Sequence, residues 1–141
     1  MDIIPVLKIG PVLMVSIQNE LYDSVAQQLQ DTILYKIKDT HARAVLVDIT
    51  AMEMVDSFIA RVLSDTAKMA SVMNAKVVLV GMRPAVTMTL VDMGMTLPDI
   101  ATAINVEDGL RKLGYELSLI KKKEDNIVTA DLKEEDGDGE D

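Results

Sequence analysis

The spacing of apolar residues changes along this chain, and each change marks an element. Val6 to Ile9 and Val12 to Ile17 are short runs rich in β-branched side chains, separated by the turn-forming pair Gly10-Pro11. They predict a hairpin or two adjacent strands. From Leu21 the period lengthens to four residues, through Val25, Leu29, Ile33 and Ile37, with Gln27, Gln28, Gln30, Asp31 and Lys38 between them. That spacing predicts an amphipathic helix, and Ser24 followed by Gln27 resembles a capping box that would start its regular part. Ala44 to Ile49 is almost wholly apolar, with Asp48 and Thr50 at its end, as in a strand covered on both faces. Ile59, Val62, Leu63, Thr66, Met69, Ala70 and Met73 then share one helical face, while Arg61, Asp65 and Lys68 share the other.

Lys76 to Val80 is a second strand of the buried type, closed by Gly81, and Pro84 suits the first turn of a third helix ending near Gly94. Ile100 to Ile104 predicts a short last strand. Asn105 to Leu113 opens on a capping residue with Glu107 and Asp108 behind it and closes on Arg111, Lys112 and Gly114, the charge order of a short fourth helix. Strands alternating with helices need crossover connections, which lay helices against a mostly parallel sheet. The expected class is α/β: one domain over residues 1–115, with about five strands in a mixed, mostly parallel sheet and four helices. Beyond Tyr115 the periodicity fades, and Glu134 to Asp141 is acid and glycine with nothing apolar to bury. Residues 116–141 are therefore expected to form a charged, disordered tail.

Composition narrows the function classes. The 141 residues fit a single domain able to bury a core without disulfides. No apolar run approaches the roughly 20 residues of a membrane-spanning helix, and the N-terminus lacks the basic start and small-residue cleavage site of a secretory signal. A soluble, cytoplasmic protein is expected, with no membrane partner. There are no cysteines, which removes disulfide scaffolds, thiolate metal sites and cysteine nucleophiles together. The net charge of -9 sits mostly in the tail, where residues 124–141 hold nine acids against Lys133, a net of -8 that leaves -1 for the rest. So neutral a body gives no reason to expect nucleic acid, which is normally met by a clustered basic face.

Catalytic chemistry is tested by elimination, and the inventory is thin. His41 is the single histidine and falls in the loop after the first helix, as a solvated side chain. The body's glycines are isolated and form neither GxxxxGK[ST] nor GxGxxG. No acidic group has calcium-loop spacing, so neither metal nor cofactor is expected. Asp48, Glu53 and Asp56 gather at the first strand-to-helix connection, the edge where open α/β sheets take ligands. They are open to two readings: acid–base work by Asp48 and Asp56, or a helix cap at Asp56 beside a solvated Glu53. Of ten methionines, Met69 and Met73 fall on the buried stripe, whereas Met54 and Met82 are candidates for an exposed, adaptable contact surface.

Ser57 stands out because the loop after a buried strand becomes a helix there, where backbone amides lack partners. A phosphate at that point gains from the helix dipole and from those amides. Arg61, four residues on, is within helical reach of it and presents a planar fork to phosphoryl oxygens. Modification would add about -1.5 to -2 charges beside Asp56, changing a surface that includes Met54, Phe58 and Arg61. The plainer alternative is that Ser57 only caps the helix. Asp56, an equally good cap, would leave its hydroxyl free. Phe58 lies off the apolar stripe, and an exposed aromatic is a common interface anchor.

Taken in order, Val15-Ser16-Ile17-Gln18, Val47-Asp48-Ile49-Thr50, Val55-Asp56-Ser57-Phe58-Ile59-Ala60 and Ala75-Lys76-Val77-Val78-Leu79-Val80-Gly81 resemble the STAS domains of anti-sigma-factor antagonists. Among these, the likeness is greatest to the small single-domain subunits of the bacterial stressosome. Met82-Arg83-Pro84-Ala85-Val86, with Thr89-Leu90 and Gly94, is similar to that family's third-helix region. The resemblance implies a non-enzymatic regulator that co-assembles with RsbR-type STAS proteins and sequesters an RsbT-type serine kinase, with Met54, Asp56, Phe58 and Arg61 around the contact. It implies too that the kinase, using its own ATP, phosphorylates the serine matching Ser57 and leaves, and that a phosphatase resets the site. Ser57 would then be a substrate residue, with no catalytic residue in this chain. The other readings are a STAS scaffold subunit without a phosphorylation switch and, more remotely, a small enzyme using Asp48 and Asp56. The acidic extension after Tyr115 departs from the compact ending expected of the family.

Overall fold

The computed structural model describes residues 4–18, 21–92 and 100–114. The expected end of the third helix near Gly94 and the tail over 116–141 lie outside them. The described chain runs β1 (Val6–Ile9), β2 (Val12–Ser16), α1 (Asp23–Thr40), β3 (Ala44–Asp48), α2 (Ser57–Val72), β4 (Lys76–Val80), α3 (Pro84–Asp92), β5 (Ile100–Ala103) and α4 (Val106–Lys112). The five strands lie in sequence order, β1-β2-β3-β4-β5. β1 and β2 pair antiparallel across Gly10-Pro11, where Gly10 takes φ +60 at the first turn position, the conformation a two-residue hairpin needs for its turn to follow the strand twist. Every other pairing is parallel. The architecture is the mixed, mostly parallel α/β arrangement that the periodicity predicts.

Parallel strands alternate their side chains between two covered faces, so both faces are apolar. One face carries Leu13, Val15, Val45, Val47, Val77 and Leu79 and packs under α1, α2 and α3. The other carries Val12, Ala44, Leu46, Val78, Val80 and Ala103 and meets Leu110 of α4. Between α1 and α2 the packing includes a polar pair. The buried Gln30 donates from Nε2 to Thr66 Oγ1 at 2.9 Å, and Thr66 Oγ1 donates to the Val62 carbonyl at 2.6 Å. The helical period assigned Gln30 to the solvent face; the partner on α2 is what allows it inside.

Two local expectations are corrected. The Ser24–Gln27 capping box does not form: α1 begins at Asp23, its N-cap is Tyr22, and no side chain caps it. Met69 and Met73 are exposed, at 43% and 36%, and the inner face of α2 is completed by Ala60, Ala67 and Ala70. Close packing of α2 against α1 and the sheet favours small side chains at those positions, which turns the longer methionines outward. His41 is exposed just after α1, as expected, and it is also the helix's left-handed C-cap, with φ 58, its amide donating to the Ile37 carbonyl. Among the described residues no helix is long and apolar enough to cross a membrane.

Candidate functional site

The parallel register brings Ser16, Asp48 and Val80 side by side at the C-terminal edge of the sheet, and the loop from Ile49 to Asp56 rises from that edge into α2. Its apolar residues are anchors. Ile49, Met52 and Val55 are each at most 4% exposed, and Ile49 N donates to the Val80 carbonyl while Met52 N donates back to the Ile49 carbonyl. Ile49 and Val55, together with Leu63 and Val86, also line a small apolar gap behind the loop. Held from inside, the loop turns Glu53 and Met54 to solvent, Met54 to 70%.

Asp56 ends the loop with extended backbone (φ -89, ψ 177), and its Oδ1 accepts the Ile59 amide at 2.9 Å. It is the N-cap, so Ser57 is the first helical residue. This decides between the two capping candidates. Among the described residues the Ser57 hydroxyl makes no hydrogen bond, and the side chain is exposed. Phe58, 39% exposed, and Arg61 lie on the same outward surface. Met54, Asp56, Ser57, Phe58 and Arg61 are thus all solvent-facing around one helix end. Met82, the other methionine considered for contact, is half-buried and packs against the core instead.

The electrostatics of that end favour an anion. α2 has 16 residues and no acidic residue in its first turn, and the amides of Ser57 and Phe58 have no acceptor within the helix. Arg61 has no ion pair among the described residues. Among the described residues, the Asp56 carboxylate is the one that caps the positive end of the dipole. The two carboxylates considered for acid–base work are both engaged in holding backbone: Asp56 as the cap, and Asp48 through Oδ1, which accepts from Thr50 N at 2.9 Å and from Thr50 Oγ1 at 2.6 Å. Among the described residues no group of three His, Cys, Asp or Glu side chains could hold a metal ion.

One neighbour of the loop escaped the sequence reading. Arg83, from the β4–α3 connection, donates through Nε to the Thr50 carbonyl at 2.8 Å. The pair is separated by 33 positions, so no local pattern announces it. The only sequence signals are Asp48 two residues before Thr50, a spacing at which a carboxylate commonly caps a turn, and the glycine after β4.

Comparison with known proteins matches this chain to one family. A family model for the STAS domain matches residues 4–108. The structure of RsbS from Moorella thermoacetica, solved with a serine replaced by glutamate, is 36% identical in sequence, with a TM-score of 0.69 over 77% of this chain and 92% of that one. A chain from the structure describing the molecular architecture of the stressosome, a signal integration and transduction hub, is 34% identical, with a TM-score of 0.64 over 77% and 94%. The RsbT co-antagonist protein RsbRA of Bacillus subtilis (strain 168) is 26% identical over 86 residues, which is 61% of this chain and 31% of that protein. This chain therefore matches under a third of the length of that relative.

Proposed function

The chain belongs to the STAS domain family, and we propose that it is a non-enzymatic regulatory subunit of a stressosome-type assembly. In this reading it captures an RsbT-type serine kinase at the surface formed by Met54, Asp56, Phe58 and Arg61, and it releases that kinase once Ser57 is phosphorylated. The observation that carries the reading is the division of labour at the start of α2: Asp56 caps the helix, and the Ser57 hydroxyl is left exposed without a hydrogen bond among the described residues.

The chemistry follows from that geometry. Ser57 Oγ attacks the γ-phosphorus of ATP held by the kinase, the bond to the ADP oxygen breaks, and the hydroxyl proton passes to a base of the kinase. The product adds about -1.5 to -2 charges at the positive end of a 16-residue helix. The fold tolerates this charge, because the dipole, the free amides and Arg61 oppose the repulsion from Asp56. A partner that covers the patch loses by it, since it must then bury a dianion beside an acid. Similarity to a chain of the stressosome structure and to RsbRA supports co-assembly with RsbR-type STAS proteins, and a reversible switch requires a phosphatase that resets Ser57.

Intact-mass measurement after incubation with ATP and the RsbT-type kinase tests the reading. One added phosphoryl group on the wild-type chain and none on Ser57→Ala is the expected result. A phosphoryl group retained in Ser57→Ala, or no transfer to the wild type, would leave the chain as a scaffold subunit in which Ser57 plays no switching part.

A further inference from the structure

The loop that presents Ser57 is fastened from outside as well as from within. Thr50 N and Oγ1 both donate to Asp48 Oδ1, and the Thr50 carbonyl accepts from Arg83 Nε at 2.8 Å. Arg83 is itself fixed, because its own carbonyl accepts the Val86 and Thr87 amides at 2.9 and 3.0 Å, so its backbone begins the first turn of α3. Beneath the pair, Gly81 takes φ +76, and a Cβ added there would overlap Thr50 Oγ1, with Thr50 Cβ at 3.1 Å and Asp48 Oδ1 at 3.4 Å. The close approach of the two loops thus depends on a glycine in a left-handed conformation.

From this geometry we infer that Arg83 is a positioning residue for the phosphate-accepting loop: by gripping the Thr50 carbonyl it joins that loop to the start of α3 and holds Ser57 in the conformation a kinase reads. The inference rests on the reading of Ser57 as the acceptor. Its physical basis is that one side chain restrains the outer backbone of a segment whose inner side is already anchored by Ile49, Met52 and Val55. Losing one such hydrogen bond at an exposed site lowers the ratio of held to released loop by roughly three- to tenfold, and a kinase that binds only the held loop sees an apparent affinity reduced by up to that factor, in proportion to the held population lost.

The test uses the whole chain, with two measurements. In hydrogen–deuterium exchange, Arg83→Met, which keeps the unbranched stem but has no donor, is expected to speed exchange of the loop amides between Ala51 and Val55 by roughly three- to tenfold while β3 and β4 keep their protection. In steady-state phosphorylation with ATP and the RsbT-type kinase, the same variant is expected to raise KM for the chain measurably, by up to that factor, with kcat within about twofold of wild type. Arg83→Lys, which keeps a donor, recovers part of both effects. Unchanged loop exchange overturns the inference, as does faster loop exchange with a wild-type KM. Uniformly faster exchange through β3 and β4 overturns it too, since that marks loss of global stability. If the wild-type chain accepts no phosphate, the Ser57 reading fails by itself, and the exchange pattern alone then decides whether Arg83 holds the loop.

Discussion

The helices α2 and α4 both begin with a side-chain cap at the C-terminal edge of the sheet, and they treat the positive end of the helix dipole in opposite ways. At α4, Asn105 Oδ1 accepts the Asp108 amide at 2.8 Å, and Asp108 Oδ2 reaches back to the Ile104 amide at 3.1 Å. Glu107 and Asp108 fill the first turn and pair with Arg111 and Lys112 one turn on. At α2, Asp56 supplies the one capping bond, and the first turn holds no acid: Phe58 and Ile59 stand where α4 has Glu107 and Asp108. The α4 end is therefore saturated by its own carboxylates, while the α2 end keeps room for an anion supplied from outside. Both helix starts have a side-chain cap, a carboxylate at α2 and an amide at α4, but only α4 brings further negative charge in its first turn, and the proposed modification at Ser57 draws on that difference.

The sharpest way to break the comparison is to fill the vacancy. Ser57→Asp brings permanent charge into the proposed contact patch and is expected to weaken capture of the kinase by about tenfold or more, equivalent to roughly 1.4 kcal/mol. Unchanged affinity in a titration calorimetry or pull-down comparison would mean that the patch is not the contact. Next in size is the loss of a cap. Asp56→Ala is expected to cost about 1 kcal/mol in urea denaturation, and Asp56→Asn much less, since Asn also caps. Asn105→Ala should cost less than Asp56→Ala, near 0.5 kcal/mol, because Asp108 still serves the Ile104 amide. Equal costs would show that the two ends are held alike.

A smaller effect runs in the opposite direction. In the free chain Ser57→Asp is expected to stabilise the fold by about 0.3–1 kcal/mol at low ionic strength, through the dipole, and to lose that gain in about 1 M salt. Destabilisation would indicate that repulsion from Asp56 outweighs the helix field, and that the site resists a phosphate rather than receiving it. The smallest effect is expected at the saturated end, where Asp108→Asn should cost about 0.3 kcal/mol, because Asn keeps an acceptor for the Ile104 amide and the cations Arg111 and Lys112 are more than half exposed. A cost well above that would mean the α4 acids contribute more than surface electrostatics allows.

How much of this was legible beforehand depends on whether an interaction is local. The β3, β4 and α2 runs could be read because a parallel strand must be apolar on both faces and a packed helix must repeat its apolar side chains every three to four residues. The helix start at Ser57 was legible for the same reason. Errors arose where an interaction crosses between elements: Gln30 is admitted to the core by Thr66, and Met69 and Met73 are turned out of it by alanines that fit better beneath α2.

By itself, then, the sequence determined the order and kind of the elements, the apolar anchors of the loop before α2, and a short list of two residues able to cap that helix. Periodicity and composition decide such things because they are set by neighbours a few positions away. Only the tertiary structure decided which of the two caps, since Asp56 and Ser57 differ there in backbone conformation rather than in chemistry. It alone joined Arg83 to Thr50, because the parallel register of β3 with β4 brings their two C-terminal loops together although 33 positions separate the residues. The exposure of Ser57 belongs to both: its position in the chain puts a hydroxyl at a helix start, and the folded loop leaves that hydroxyl without a hydrogen bond among the described residues.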